Sequence, residues 1–179
     1  RYNSEYRVWQ GSDFDLEDAL QEQLNNLGRF SLAEELNKSQ SVLPIVARRY
    51  TIETGTLRYF LPLFVDAKSY KSQAINTNDP RIIFYLAAGQ DDEALFNKVV
   101  CSHFSPLDIV VLCLSGTQLY EAVAETQALK RVHNEKNELN TDAVAMREFE
   151  DRLSAAEVMQ SRLLQNLVDQ PSESQWFNG

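Results

Sequence analysis

Apolar positions are densest in residues 81–114, where two unbroken runs, Ile82-Ile83-Phe84-Tyr85-Leu86-Ala87 and Ile109-Val110-Val111-Leu112-Cys113-Leu114, flank a segment of helical character. Runs without alternating polar residues suit strands buried on both faces. The stretch therefore predicts a strand, a crossover helix over about 91–103 and a second, parallel strand, with Pro106 in the returning turn and a right-handed connection. The remainder of the chain must then cover both faces of the sheet.

Upstream, Tyr6 and Val8 before Gly11 read as a short strand. A helix follows, capped by Ser12 or Asp13 and carrying Asp15, Glu17 and Asp18 in its first turn, where the dipole favours acids. Its buried stripe is Leu16, Ala19, Leu20, Leu24 and Leu27, and Gly28 ends it. Ser31 with Glu34 forms a capping-box pattern for a short helix to about Lys38, with Leu32, Ala33 and Leu36 inward. Residues 42–52 and 57–65 are rich in β-branched and aromatic side chains and are joined across Glu53-Thr54-Gly55-Thr56, which predicts a hairpin. Pro44 and Pro62, lacking a ladder donor, belong at an edge or bulge. Residues 68–80 are polar and turn-rich, an exposed loop.

Downstream, Ser115-Gly116-Thr117 breaks the second strand and caps a long helix striped by Leu119, Val123, Thr126 and Leu129 or Lys130. The pattern lapses over 134–140, and Thr141-Asp142 caps another start. The last helix runs to about Asp169 with Met146, Phe149, Leu153, Ala156, Gln160, Leu163 and Leu167 at heptad spacing. Met146, Phe149, Leu153, Leu163 and Leu167 form its candidate interaction seam, while Arg147, Glu150, Arg152 and Glu157 charge the other face. Gln160 interrupts the seam, which favours an antiparallel pair with the helix of 117–134 over a long homomeric zipper. Pro171 stops the helix, and Trp176-Phe177 leaves an aromatic pair suited to a following segment of protein.

These elements predict an α/β fold: a small mixed sheet of an N-terminal strand, a hairpin and a parallel βαβ unit, covered by helices. Residues 1–116 form the α/β body, and 117–179 a long helical hairpin packing on and projecting from it, within one structural domain. The opening at Arg1, in mid-pattern, reads as a piece of a longer polypeptide.

Composition narrows the function. The 179 residues, 44% hydrophobic, suffice for one domain with a real core. With 26 acidic and 17 basic side chains the formal charge is −9, so the chain is repelled by polyanions and a nucleic-acid partner is not expected. Cys101 and Cys113 both sit where a small apolar residue fits, as thiols of a reducing compartment do. No run approaches the ~18 apolar residues of a membrane span, and no secretory leader pattern is recognisable, so a cytoplasmic protein without membrane contact is expected.

Candidate chemistry is sparse. Cys101 and His103 stand two apart, on opposite sides of a helix, and His133 is the only other histidine, so neither a metal site nor a Cys-His nucleophile is assigned. The turn Ala88-Gly89-Gln90-Asp91-Asp92-Glu93 has one glycine, no Lys-Ser/Thr and three acids where an anion would sit. Neither Gly55-Thr56 nor Ser115-Gly116-Thr117 completes a phosphate loop. No catalytic residue and no cofactor is assigned. The acids at 91–93 read as dipole-complementing caps. Arg48, Arg49 and Arg58 across the hairpin form a candidate binding set for a carboxylate or phosphate, or else pair with Glu53, Asp66 or the acids of the first helix. Tyr50, Tyr59, Phe60 and Phe64 read as core aromatics.

Three stretches in order, Tyr6-Arg7-Val8-Trp9-Gln10-Gly11-Ser12-Asp13-Phe14-Asp15, then Val46-Ala47-Arg48-Arg49-Tyr50-Thr51-Ile52-Glu53-Thr54-Gly55-Thr56-Leu57-Arg58-Tyr59-Phe60, then the helical tail over 122–176, carry a resemblance. Together they resemble the region that follows the ATPase module in very large bacterial P-loop proteins of anti-phage defence islands, of the kind found near BREX and phosphorothioation systems. The resemblance implies an accessory α/β domain of an ATP-binding protein whose phosphate loop lies outside these residues. No catalytic motif of such proteins maps onto this chain. Two readings follow: a non-catalytic interaction domain that contacts other domains of its parent polypeptide or a protein partner, or a ligand- or nucleotide-binding α/β enzyme domain with a cleft at the carboxyl ends of strands 82–87 and 109–114, near Gly89 and Ser115.

Overall fold

The computed structural model describes residues 14–39, 43–72, 79–98, 100–169 and 174–178. The chain forms two compact units, one of residues 29–121 with 161–179, the other of residues 1–28 with 122–160. The fold is α/β with a mixed sheet, as the apolar pattern predicts.

The sheet unit is centred on β3 (Arg81–Leu86) and β4 (Ile109–Cys113), which pair in parallel with Ile82 opposite Ile109 and Leu86 opposite Cys113. Every residue of β3 is buried, which is why its sequence shows no alternation. The crossover consists of α4 (Gln90–Lys98) and a 3₁₀ turn (Val100–Ser102). β2 (Tyr59–Val65) pairs in parallel with the other edge of β3, and the two-residue β1 (Ile45–Val46) pairs antiparallel with β2. These strands lie in the order β1-β2-β3-β4. One apolar cluster joins Ile83, Tyr85, Val110 and Leu112 of the sheet to Phe96 and Phe104 of the crossover.

α2 (Leu32–Ser39) begins with the Glu34 N–H donating to Ser31 Oγ at 3.3 Å and buries Leu32, Ala33 and Leu36. Its Asn37 side chain docks on β2, donating to the Phe64 carbonyl at 2.8 Å and accepting from the Phe64 N–H at 3.1 Å. Pro62 fits its strand for a related reason. The Leu61 N–H donates to Pro80 beside β3, whereas the Phe64 N–H points the other way, to Asn37. Position 62 shares the parity of 64, and β1 pairs only with Tyr59 and Phe60, so the missing donor faces a side without a strand.

The hairpin expected over 42–65 is not the structure. Only Ile45–Val46 and Tyr59–Phe60 pair, and between them runs α3 (Arg48–Thr54). Side chains close its turns locally: Thr51 Oγ1 donates to Ala47 O at 3.0 Å, Thr54 Oγ1 to Tyr50 O at 2.8 Å, and Arg49 pairs with Glu53 at 2.8 Å. Gly55, at φ 68°, supplies the left-handed C-cap, its N–H returning to Thr51 O. Tyr50 and Tyr59, expected in the core, are exposed, Phe60 is half-buried, and Phe64 alone is fully buried. The loop expected over 68–80 contains a 3₁₀ turn (Tyr70–Ser72) with Tyr70 buried, and residues 73–78 lie outside the described residues.

The segment 117–179 is not helical throughout. Ser174–Asn178 form β5, antiparallel to β4 with Trp176 opposite Val111 and Phe177 opposite Val110. The open edge of β4 carries a row of backbone donors and acceptors, and a fifth strand satisfies them. The expected N-terminal strand around Tyr6 and Val8, and the first-helix caps Ser12 and Asp13, lie outside the described residues.

The helical unit contains α1 (Leu16–Leu27), whose N-cap is Asp15, with Oδ1 accepting the Asp18 N–H at 3.0 Å. It also takes most of α5 (Gly116–Glu135), then α6 (Asn137–Thr141) and the first part of α7 (Ala143–Asp169). Asp142 caps α7 by accepting the N–H groups of Val144 and Ala145. Leu16 and Leu20 of α1, Leu129 and Val132 of α5 and Phe149 of α7 share one core. The His133 ring stacks on Phe149 at 5.3 Å, and Arg152–Glu125 and Lys130–Glu157 pair along the surface.

Candidate functional site

Two regions of the sheet unit stand out, a cavity at the carboxyl ends of the parallel strands and an exposed arm at the β1 edge. The cavity is formed where β2 runs out into Asp66-Ala67-Lys68 and β3 into Ala87 and Ala88, beside the start of α5. Gly116 lets α5 begin directly on the end of β3, because a Cβ there would collide with the Ala87 carbonyl oxygen and stand 2.8 Å from its carbon. Thr117 Oγ1 donates to the Ala88 carbonyl at 3.0 Å and fixes the approach.

The resulting space of about 280 Å³ is walled by Phe30, Leu32, Leu86 and Tyr120, with Arg29 and Lys68 among its lining residues. The Phe30 and Tyr120 rings stack at 4.4 Å, 14° from parallel. Asp66 also lines the cavity, but its carboxylate is committed elsewhere. Oδ2 accepts from Ser31 Oγ at 2.7 Å and the Ala33 N–H at 3.4 Å, and Oδ1 from the Lys68 N–H, the Ser69 N–H and Ser69 Oγ at 2.8–3.0 Å. Burial raises its pKa, yet the hydrogen bonds from Ser31, Ser69 and Ala33 outweigh burial and hold it below the usual carboxylate value. Asp66 is thus a tie between the start of α2 and the end of β2.

The arm comprises residues 43–61. Leu43, Val46, Tyr50, Ile52, Leu57, Tyr59 and Leu61 are all exposed, Leu43 and Ile52 by 80% and 82%. The three predicted binding arginines are on this arm, though not as paired strands would set them. Arg48 and Arg49 lie exposed on α3, and Arg49 is tied to Glu53. The Arg58 guanidinium lies over Tyr50 and Phe60, at 5.3 and 5.6 Å from the ring centroids. Asp66, one of the expected alternative partners, is occupied by Ser31 and Ser69.

Of the predicted seam, Phe149 is buried in the core of the helical unit with Met146 and Leu153 packed against it. Leu163 and Leu167 belong to the sheet unit, half-buried and buried respectively. Asp92 accepts the Ala88 N–H at 2.9 Å, a local cap on the turn into α4. Among the described residues, no group of three or more His, Cys, Asp or Glu side chains is placed to hold a metal ion, and no helix is long and apolar enough to cross a membrane.

Sequence reasoning missed the Arg81–Asp108 pair, which joins the opposite, amino ends of β3 and β4. Nε donates to Oδ1 at 3.0 Å and Nη2 to Oδ2 at 2.6 Å, with both side chains buried. It also missed the Tyr85 hydroxyl and His103 Nε2, which are buried without a hydrogen-bond partner among the described residues. Comparison of the chain with protein-family models, with curated proteins and with solved structures found no match.

Proposed function

We propose that this chain is a non-catalytic docking domain whose working surface is the arm of residues 43–61. The observation that carries the reading is the crowding of seven large exposed apolar side chains into that one segment. Leaving such side chains in water forgoes roughly 1.5–3 kcal/mol for each Val, Leu or Ile that burial would recover. Soluble monomers rarely keep apolar patches of this kind without a use for them.

Charge indicates the partner. The arm carries Arg48, Arg49 and Arg58 against the single acid Glu53, in a chain whose overall charge is −9. A protein surface with apolar residues ringed by carboxylates complements it, with the arginines providing orientation and a faster encounter. The resemblance to accessory regions of bacterial defence ATPases points to a neighbouring domain of such a parent polypeptide, or a protein that assembles with it, as the source of that surface.

A photo-crosslinking amino acid placed at Ile52 or at Leu57, in cells that make the protein naturally, tests this. The expected result is a discrete adduct whose cross-linked peptide carries both carboxylates and apolar side chains. The same adduct should fall at least several-fold when Arg48, Arg49 and Arg58 are reversed to Glu. An adduct untouched by that reversal, or none at all, would overturn the assignment.

A further inference from the structure

We propose that the cavity at the carboxyl ends of β2 and β3 is a binding site for a small amphipathic anion, an apolar carboxylate whose body enters between Phe30, Leu32, Leu86 and Tyr120 and whose head meets Arg29 and Lys68. The cavity lies just below the common size range of small-molecule pockets, and at ~30 Å³ per water-sized unit it holds roughly nine such units. That space accommodates a medium-chain or single-ring acid.

The walls select for an apolar body. Phe30 and Tyr120 present a stacked aromatic pair, and Leu32 and Leu86 are buried aliphatics. The polar groups are mostly spent. Thr117 Oγ1 already donates to Ala88, and both Asp66 oxygens are occupied by donors from Ser31, Ala33, Lys68 and Ser69. A sugar or a base would find few free partners here.

The uncommitted charge is positive. Arg29 and Lys68 make no ion pair among the described residues, and the one carboxylate in the wall is already satisfied. A neutral apolar guest would leave both cations unused, whereas a carboxylate head gains a charge-assisted contact at the mouth. A triphosphate is disfavoured because the neighbouring turn offers Asp91, Asp92 and Glu93 in place of a glycine-rich loop.

Octanoate is the probe, titrated calorimetrically and by amide chemical shifts, with octanol and inorganic phosphate as the apolar-only and anion-only controls. Octanoate should bind saturably, with shifts at Phe30, Leu86 and Tyr120, and at least tenfold more tightly than either control. Reversing Arg29 and Lys68 together to Glu should weaken it about tenfold or more, the scale of one lost charge-assisted hydrogen bond. Both side chains are exposed, so the fold should survive the reversal. Ala88→Trp at the rim should block binding, while the Arg48, Arg49 and Arg58 reversal on the arm should leave it unchanged. Octanol binding as tightly as octanoate, binding that survives the Arg29 and Lys68 reversal, or no saturable signal would each overturn the proposal, and none of these results bears on the docking arm.

Discussion

At the scale of single residues, the positions that matter most are those where one atom decides whether two elements can meet. Gly116 is the clearest. It is buried, and the groups nearest its missing Cβ are the backbone oxygen, carbon and nitrogen of Ala87, none of which can swing aside as a flexible side chain would. Gly116→Ala should therefore displace the start of α5 and destabilise the sheet unit by about 1–3 kcal/mol, the usual cost of forcing an extra methyl into a packed site. Urea unfolding measures this, and a variant as stable as the parent would show that the helix start does not lie on the strand end. The Arg81–Asp108 pair belongs to the same scale and was readable in the sequence. Each residue directly precedes one of the two apolar runs, so pairing those runs in parallel from their first residues sets Arg81 beside Asp108. Neither run alone signals the buried bidentate ion pair, because only their parallel alignment brings the two residues together.

At the scale of elements, the legible parts were those whose burial leaves a period in the sequence. β3 from Ile82 onward and β4 are apolar without interruption because both faces are covered. α2 announces itself by Ser31, Glu34 and three inward apolar residues, and α7 by Asp142 and its heptad spacing. α3 left no such trace. It buries nothing, so it has no apolar stripe, and Tyr50, Thr51, Ile52 and Thr54 give it the composition of a strand. What holds it is local: two threonine hydroxyls on carbonyls one turn back, one ion pair and a glycine cap. β5 was hidden for a different reason, since what fixes it is the unpaired edge of β4 and not its own pattern. The cleft expected at the carboxyl ends of the strands over 82–87 and 109–114, near Gly89 and Ser115, is displaced by one strand: the cavity lies at the ends of β2 and β3, and neither Gly89 nor Ser115 lines it. Its aromatic pair comes from Phe30 and Tyr120, ninety residues apart and marked by nothing in their neighbourhoods. If α3 is held locally, its cap should control it. Nothing stands within 4 Å of a Cβ built on Gly55, so Gly55→Ala meets no clash and pays only for its positive φ, about 1 kcal/mol. Hydrogen exchange should show faster opening of the amides in α3 with β3 and β4 unchanged, and a global loss of protection would mean that α3 is tied into the core.

At the scale of the molecule, two groups in the sheet unit set limits on the pH range over which it is stable, and their signs are opposite. Asp66 has its pKa lowered in the folded chain because hydrogen bonds from Ser31, Ser69 and Ala33 outweigh burial. Its contribution is therefore present above the unfolded value near 3.8 and is lost as pH falls through the lower folded value. Tyr85 is shifted the other way. Burial first, and then the negative charges of Asp92 and Asp66, raise its hydroxyl well above the ordinary 10.0. That contribution is present below pH 10 and declines as pH climbs from there toward the folded value. Stability should thus fall on both sides of a broad plateau, and each limb can be removed separately. Tyr85→Phe deletes a hydroxyl that has no hydrogen-bond partner among the described residues, so stability at pH 7 should be unchanged or slightly higher while the decline above pH 10 becomes shallower. Asp66→Asn should shrink the acid limb, but only by lowering the plateau, because it replaces a carboxylate acceptor of several hydrogen bonds. Thermal unfolding across pH 3 to 11 separates the two. A Tyr85→Phe curve that follows the parent above pH 10 would assign the alkaline limb to other groups, and one that drops by more than about 1 kcal/mol at pH 7, the worth of a typical made hydrogen bond, would place a partner on that hydroxyl.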